Sequence, residues 1–245
     1  MSRQPFIFVP DRAGSDIVRI DGVEARHLIK TLRARPGFIF TIFDGKGHQI
    51  LVEVSSISSG EITARVVREL PDETLPATKI IVATAIIKGS RMDYAVEKAA
   101  ETGANKFIPL LTDRIGIPPG SKKLKRWREI AKSAAKQSRR AHLMDISEPA
   151  AISTILRERS YAAIVLSPSL DSCKFAEKIA NLSGAPLITL FIGPEGGFSE
   201  LEIRLLQKWD IPFCRLAQHT LRTETAVAVS IGIARAILQE SHAGD

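Results

Sequence analysis

From residue 79 onward, short apolar runs alternate with amphipathic ones, and that alternation leaves few folds open. Lys79–Ile87, Lys106–Leu111, Tyr161–Leu166, Leu187–Ile192 and Phe213–Leu216 have the length and apolar content of buried strands. Ser90 to Thr102 has helical period, with Ser90 as cap, Met92, Ala95, Val96 and Ala99 on one face, and Gly103 ending it. Leu124 to Ala141, Ser172 to Leu182 and Glu224 to Glu240 read as further helices. Ser199-Glu200-Leu201-Glu202 is a capping box for one that ends at Trp209. Strands separated by helices form a parallel sheet with helices on its faces. The expected fold class is α/β, and ligands of such a sheet bind beyond the carboxyl ends of its strands.

The preceding residues differ in texture. Phe38–Phe43, Gln49–Val54 and Ile62–Val67 are strand candidates, with a turn at Asp44-Gly45-Lys46-Gly47. Glu24 to Arg33 reads as a short helix with Leu28, Ile29 and Leu32 on one face. Pro71–Pro76 looks like a linker. The expected division is a small, mostly β domain at 1–72 and an α/β domain at 73–245.

Charge points to a polyanion. Residues 73–145 hold 15 basic and 7 acidic side chains, more than the whole net charge of +7. The densest stretch contains Lys122, Lys123, Lys125, Arg126, Arg128, Lys132, Lys136, Arg139 and Arg140. A localised basic face is the footprint of a nucleic-acid partner, and a solvated helix is the plain alternative. The longest apolar run, Ile80–Ile87, falls far short of the ~18 residues of a membrane span. No secretory signal is visible at the start. Cys173 and Cys214 form no C-x-x-C pair and no disulfide framework, so a reducing cytoplasm is the expected compartment. His27, His48, His142, His219 and His242 show no ligand spacing, and no metal site is expected.

Three loops carry the candidate chemistry. Ile192-Gly193-Pro194-Glu195-Gly196-Gly197-Phe198 joins a strand to a capped helix; its glycines let backbone groups approach a ligand. Leu216 to Ala226 joins the last strand to the last helix. Within it Thr223 is a cap candidate and Glu224 suits the helix dipole. Arg222 gains nothing from that dipole and points to an anion or a polar ring. Lys88 and Arg91 lie at a third strand end and, with Arg114, Arg139 and Arg140, could make a basic rim. The dinucleotide fingerprint, the Walker A loop and the G-x-S-x-G elbow are all absent.

These segments together resemble the RsmE family, 16S ribosomal RNA (uracil-N3) methyltransferases of the SPOUT superfamily. The matching stretches are His27 to Arg33, Lys88 to Gly103, Arg126-Trp127, Ala135 to Arg139, IGPEGGFS at 192–199 and LRTETA at 221–226. The resemblance implies a PUA-like β-barrel followed by a SPOUT methyltransferase domain with a C-terminal trefoil knot. It implies S-adenosylmethionine bound by Leu166, Ser167 and Pro168, by Ile192, Gly193, Pro194, Glu195, Gly196 and Gly197, and by Leu216, Ala217, Thr220, Leu221, Thr223, Thr225 and Ala226. RNA contact is expected from His27, Lys30, Arg33, Lys88, Arg91, Arg114 and Arg139. The implied partners are 16S rRNA in the small ribosomal subunit and a second copy of the chain, joined through the knotted domain, with no metal and no membrane.

Two departures from the family pattern stand out. Leu216-Ala217-Gln218-His219 replaces Leu-Gly with an Arg two positions later, and Glu101-Thr102-Gly103 replaces Glu-Leu-Gly. The expected mechanism has Arg222 stabilising negative charge on the uracil carbonyls and Glu224, or Glu195, taking the N3 proton. Two other readings stay open on sequence alone: a catalytically silent SPOUT-like RNA-binding module, and a SPOUT enzyme acting on transfer RNA.

Overall fold

The computed structural model describes residues 4–10, 16–73, 76–114, 118–158, 162–168 and 172–240. Tyr161 of the third expected strand and part of the expected linker lie outside these residues. The chain forms two compact units, one of Met1–Leu75 with Ala135–Leu143, the other of Pro76–Ala134 with Met144–Asp245.

The first unit contains β1 (Phe6–Phe8), β2 (Ile17–Ile20), α1 (Gly22–Arg26), β3 (Ile39–Phe43), β4 (Gln49–Ser58) and β5 (Glu61–Leu70). Its sheet runs β1-β3-β4-β5-β2, with β1 parallel to β3 and the other pairs antiparallel. Two register shifts in the β4–β5 pair, at Leu51/Val52 and Val54/Ser56, bend the long hairpin around a core that includes Phe40, Val52 and Ile62. α1 passes directly into a π-helical turn, His27–Thr31, that buries Leu28. The Asp44 side chain organises the β3–β4 turn by accepting from the Lys46 amide at 2.7 Å and the His48 amide at 3.2 Å.

Ala135–Leu143 completes this unit. Phe6, Phe43, Ala135 and Ala141 share one buried cluster, and Lys136 pairs with Glu24 at 2.8 Å. The Glu73 carboxylate accepts from the amides of Ala141 and His142. Sequence periodicity assigned this stretch to the basic helix, whose bounds do not reveal which core its end joins.

The second unit contains β6 (Lys79–Ala85), α2 (Ser90–Glu101), β7 (Lys106–Leu111), α3 (Ser121–Ser138), β8 (Asp145–Ile146), β9 (Ala150–Ala151), α4 (Ile152–Arg157), β10 (Ala162–Leu166), β11 (Cys173–Lys174), α5 (Phe175–Ala180), β12 (Leu187–Ile192), α6 (Glu200–Lys208), β13 (Phe213–Arg215) and α7 (Thr223–Glu240). The last four residues of α3 belong to the first unit. The parallel sheet runs β11-β13-β10-β12-β6-β7-β8, with β9 also paired to β7. Alternate residues of β6 feed opposite faces: Ile80 and Val82 join a core with Met92, Trp127 and Ile231, while Ile81 and Ala83 join one with Ile155, Phe191 and Leu206.

Several expectations are corrected in detail. Gly89, at φ 69°, is the N-cap of α2, and Ser90 is its first residue. The α5 segment begins only at Phe175, because Cys173 and Lys174 pair with Cys214 and Arg215 as an edge strand. Cys173 and Cys214 are register partners there and are joined by a disulfide, a pairing that their separation of 41 residues did not announce. α3 is no uniformly solvated helix: Leu124, Trp127, Ala131 and Ala134 are buried, and the Trp127 indole donates to Asp93 at 3.2 Å.

Candidate functional site

Strand order builds the site. β10 lies between β12 and β13, all parallel, so the loops that follow these three strands leave the sheet side by side at its carboxyl edge. They enclose a cleft open to solvent. Its wall is largely apolar (Leu166, Pro168, Ile192, Leu216, Leu221 and Ala226) with the hydroxyls of Ser167, Thr220 and Thr223 among them.

Each loop is fixed by identifiable bonds. The Ser167 amide donates to the Cys214 carbonyl at 3.0 Å, tying the β10 loop to β13. In the glycine-rich loop the Gly197 amide donates to the Pro194 carbonyl at 2.8 Å, and Gly197 takes φ 71°, a conformation glycine adopts without strain. Ser199 and Glu202 form the expected reciprocal capping box, which fixes the loop's far end. Thr223 does something different from the expected capping. Its hydroxyl donates to the Gly193 carbonyl at 3.0 Å, binding the head of α7 to the glycine-rich loop.

Of the residues expected at the cofactor, Leu166, Ser167, Pro168, Ile192, Gly193, Pro194, Glu195, Gly197, Leu216, Ala217, Thr220, Leu221, Thr223 and Ala226 line this cleft. Gly196 and Thr225 do not line it. Arg215 and His219 line it as well, and sequence reasoning left them out of the cofactor set. Arg215 is the last residue of β13, one position before the loop; a pocket mouth includes the ends of its strands, and that was the available signal.

The expected catalytic pair is placed differently from the cofactor residues. Arg222 is exposed and stands just before α7, its carbonyl accepting from the Ala226 amide at 2.8 Å. Glu224 does not line the cleft; it is 7% exposed, and its Oε2 is buried without a hydrogen-bond partner among the described residues. Glu195, by contrast, is paired with Arg91.

The expected RNA contacts fall in separate places. His27, Lys30 and Arg33 are exposed along the π-helical turn of the first unit and its exit, where Arg33 takes φ 54°. In the same unit the Arg139 guanidinium sits 5.2 Å over the Phe6 ring and donates to the Gln4 carbonyl at 2.7 Å. Lys88 is exposed beyond β6, whereas Arg91 and Arg114 both reach the glycine-rich loop. No cluster of His, Cys, Asp and Glu among the described residues could hold a metal ion. No helix among them is long and apolar enough to cross a membrane.

Comparison with known proteins agrees with this architecture. Residues 73–235 match the family model of an RNA methyltransferase domain, and residues 20–67 that of an RNA methyltransferase PUA domain. The ribosomal RNA small subunit methyltransferase E of Mycobacterium bovis is 32% identical over 91% of this chain and 87% of its own. The Bacillus subtilis protein of that name is 27% identical over 84% and 85%. Among solved structures, ribosomal RNA small subunit methyltransferase E from Neisseria gonorrhoeae, bound to S-adenosyl methionine, superposes with a TM-score of 0.87 at 26% identity, covering 96% of this chain and 98% of that one. A putative methyltransferase from Legionella pneumophila, in complex with bound SAM, gives 0.86 at 27% identity, covering 96% and 98%.

A PUA domain followed by a parallel sheet with a glycine-walled cleft at its carboxyl edge defines an RNA methyltransferase. Within that class the chain belongs to the ribosomal RNA small subunit methyltransferase E family.

Proposed function

We propose that this protein transfers the methyl group of S-adenosylmethionine to N3 of one uridine in the 16S RNA of the small ribosomal subunit. The observation that supports the reading best is the cleft formed by the three strand-end loops, lined by all the residues the family resemblance implies for the cofactor except Gly196 and Thr225. The cleft suits such a ligand chemically: apolar walls for an adenine ring and hydroxyls for a ribose. When bound, S-adenosylmethionine supplies an activated methyl group on a sulfonium leaving group.

The chain's own residues do the rest. Uracil N3 lies on the pairing edge, so the base must be unpaired or flipped to be reached. As N3 loses its proton, negative charge spreads onto the ring carbonyls, and the exposed Arg222 guanidinium beside the cleft stabilises it. Glu195 already accepts from Arg91, and Glu224, whose Oε2 has no hydrogen-bond partner among the described residues, is the carboxylate left to take the proton. Residues 1–72 and the lysines of α3 hold the phosphate backbone, while 73–245 carry the transfer. RNA affinity should therefore fall steeply with salt, about tenfold or more between 50 and 200 mM.

We place the enzyme in the cytoplasm as a homodimer. α7 supports the dimer: its sequence is apolar nearly all round, yet Ala228, Val229, Gly232 and Ile233 keep partial exposure. A Cβ at Gly232 would meet nothing within 4 Å. Gly232→Glu should accordingly leave the fold intact and turn a dimer into a monomer in light scattering; a dimer that survives it would remove this face from the interface.

The test of function is methyl transfer from labelled cofactor to small subunits lacking the modification, beside naked 16S RNA and transfer RNA. 3-Methyluridine in ribosomal RNA is expected by nucleoside mass spectrometry. Transfer to transfer RNA alone, or no transfer with cofactor bound, would refute the substrate.

A further inference from the structure

We propose that Arg91 and Arg114 are positioning residues that clamp the glycine-rich loop and hold it in its cofactor-binding shape. The inference rests on the function proposed above and concerns two side chains that sequence reasoning gave to RNA.

The loop from Ile192 to Phe198 needs such a clamp. Its inner end is held by Thr223 at the Gly193 carbonyl and its far end by the Ser199 capping box. Between these points lie Glu195, Gly196 and Gly197, all exposed, and two adjacent glycines carry the largest backbone entropy to be lost on ordering. Without further contacts that ordering would fall on cofactor binding.

The two arginines supply the contacts from the segments that follow β6 and β7. Arg91, in the first turn of α2 after β6, donates to the Glu195 carboxylate. Arg114, after β7, donates through Nη1 to the Gly196 carbonyl and, at 3.3 Å, to that of Gly197. Its base is itself anchored: the adjacent Asp113 amide donates to Glu202 at 3.0 Å, and the Asp113 carboxylate accepts from Ser199. A Cβ added at Gly196 would stand 2.9 Å from Arg114 Nη1, and Gly196 does not line the cleft. The absent side chain at 196 is thus the space the guanidinium occupies.

Arg114 is the stronger arm. The Arg91–Glu195 pair is half exposed on both sides, with side-chain exposures of 37% and 54%, and such pairs contribute little. Arg114 is exposed as well, but it meets two backbone carbonyls at once, which is worth about three- to tenfold in an equilibrium that requires them ordered.

The experiment is a double-mutant cycle on the full chain, read by calorimetric titration with S-adenosylmethionine and by fluorescence anisotropy with a 16S RNA fragment. Arg114→Ala and Gly196→Ala should each weaken cofactor binding about three- to tenfold, and the double variant no further than either alone. KM for the cofactor should rise while kcat at saturation stays within about twofold, and Arg114→Lys should recover part of the loss. RNA affinity should change by less than about twofold, against the larger, salt-sensitive loss of a phosphate contact. Additive losses, an unchanged cofactor affinity, or a larger loss of RNA than of cofactor binding would overturn the clamp. An unmodified chain that binds no S-adenosylmethionine would overturn the function itself; a chain that binds it, with additive variants, would overturn only the clamp.

Discussion

Arg222→Ala is expected to lower methyl transfer by about 100- to 1,000-fold while cofactor affinity stays within about twofold. The asymmetry follows from position. Arg222 is exposed beside the cleft and is not part of its lining, so its loss takes no wall from the cofactor. Its carbonyl, which accepts from Ala226, survives the substitution, so the first turn of α7 keeps its start. What disappears, in the proposed reaction, is the positive charge that meets the uracil as it becomes anionic. Removing one such group from a preorganised site costs about 3–4 kcal/mol in the transition state and little in the ground state. Single-turnover rates beside a cofactor titration decide the matter: equal losses in both would make Arg222 a binding residue, and an unchanged rate would remove it from the reaction.

The second large effect concerns stability. Arg235 is 7% exposed on α7 and donates to the Thr78 carbonyl at 2.8 Å, to the Gly103 carbonyl at 3.0 and 2.7 Å, and to Asn105 Oδ1 at 2.6 Å. Asn105 Oδ1 also receives the Ile80 amide at 2.9 Å, so one guanidinium ties the last helix to the start of β6 and the entry of β7. Arg235→Ala strands buried acceptors and opens a cavity, for an expected loss of about 3–5 kcal/mol. Thermal unfolding should fall by roughly 10 °C for a chain of this size. Arg235→Lys, which restores one charge without the fork, should recover only part of it. A shift of a degree or two would mean that water replaces these bonds.

The sequence made some of this legible and hid the rest for physical reasons. Lys106–Leu111 and Leu187–Ile192 end where their apolar runs end, because fully buried parallel strands have no polar face to blur the boundary. The capping box at Ser199 is local chemistry and could be read locally. Phe6–Phe8, Ile17–Ile20 and the pieces between Asp145 and Arg157 went unread, since two to six residues carry too little period to identify. The cleft was legible through motifs, yet the partners of those motifs were not. Nothing near Thr223 announces Gly193, nor anything near Arg114 the carbonyl of Gly196, because these contacts depend on the order of strands in the sheet.

The first unit's use of Ala135–Leu143 has a bearing on how such a protein could be cut or inherited. A fragment ending at residue 72 would lose Ala135 and Ala141 from beside Phe6 and Phe43, and would lack both Glu73 and the amides it receives. A fragment starting at residue 73 would carry that segment with its apolar side chains bare. The barrel is therefore no cassette that recombination could move as one contiguous stretch. An exchange that preserves it must bring two further crossovers, one within α3 before Ala135 and one after Leu143, and the two units should be lost or kept together.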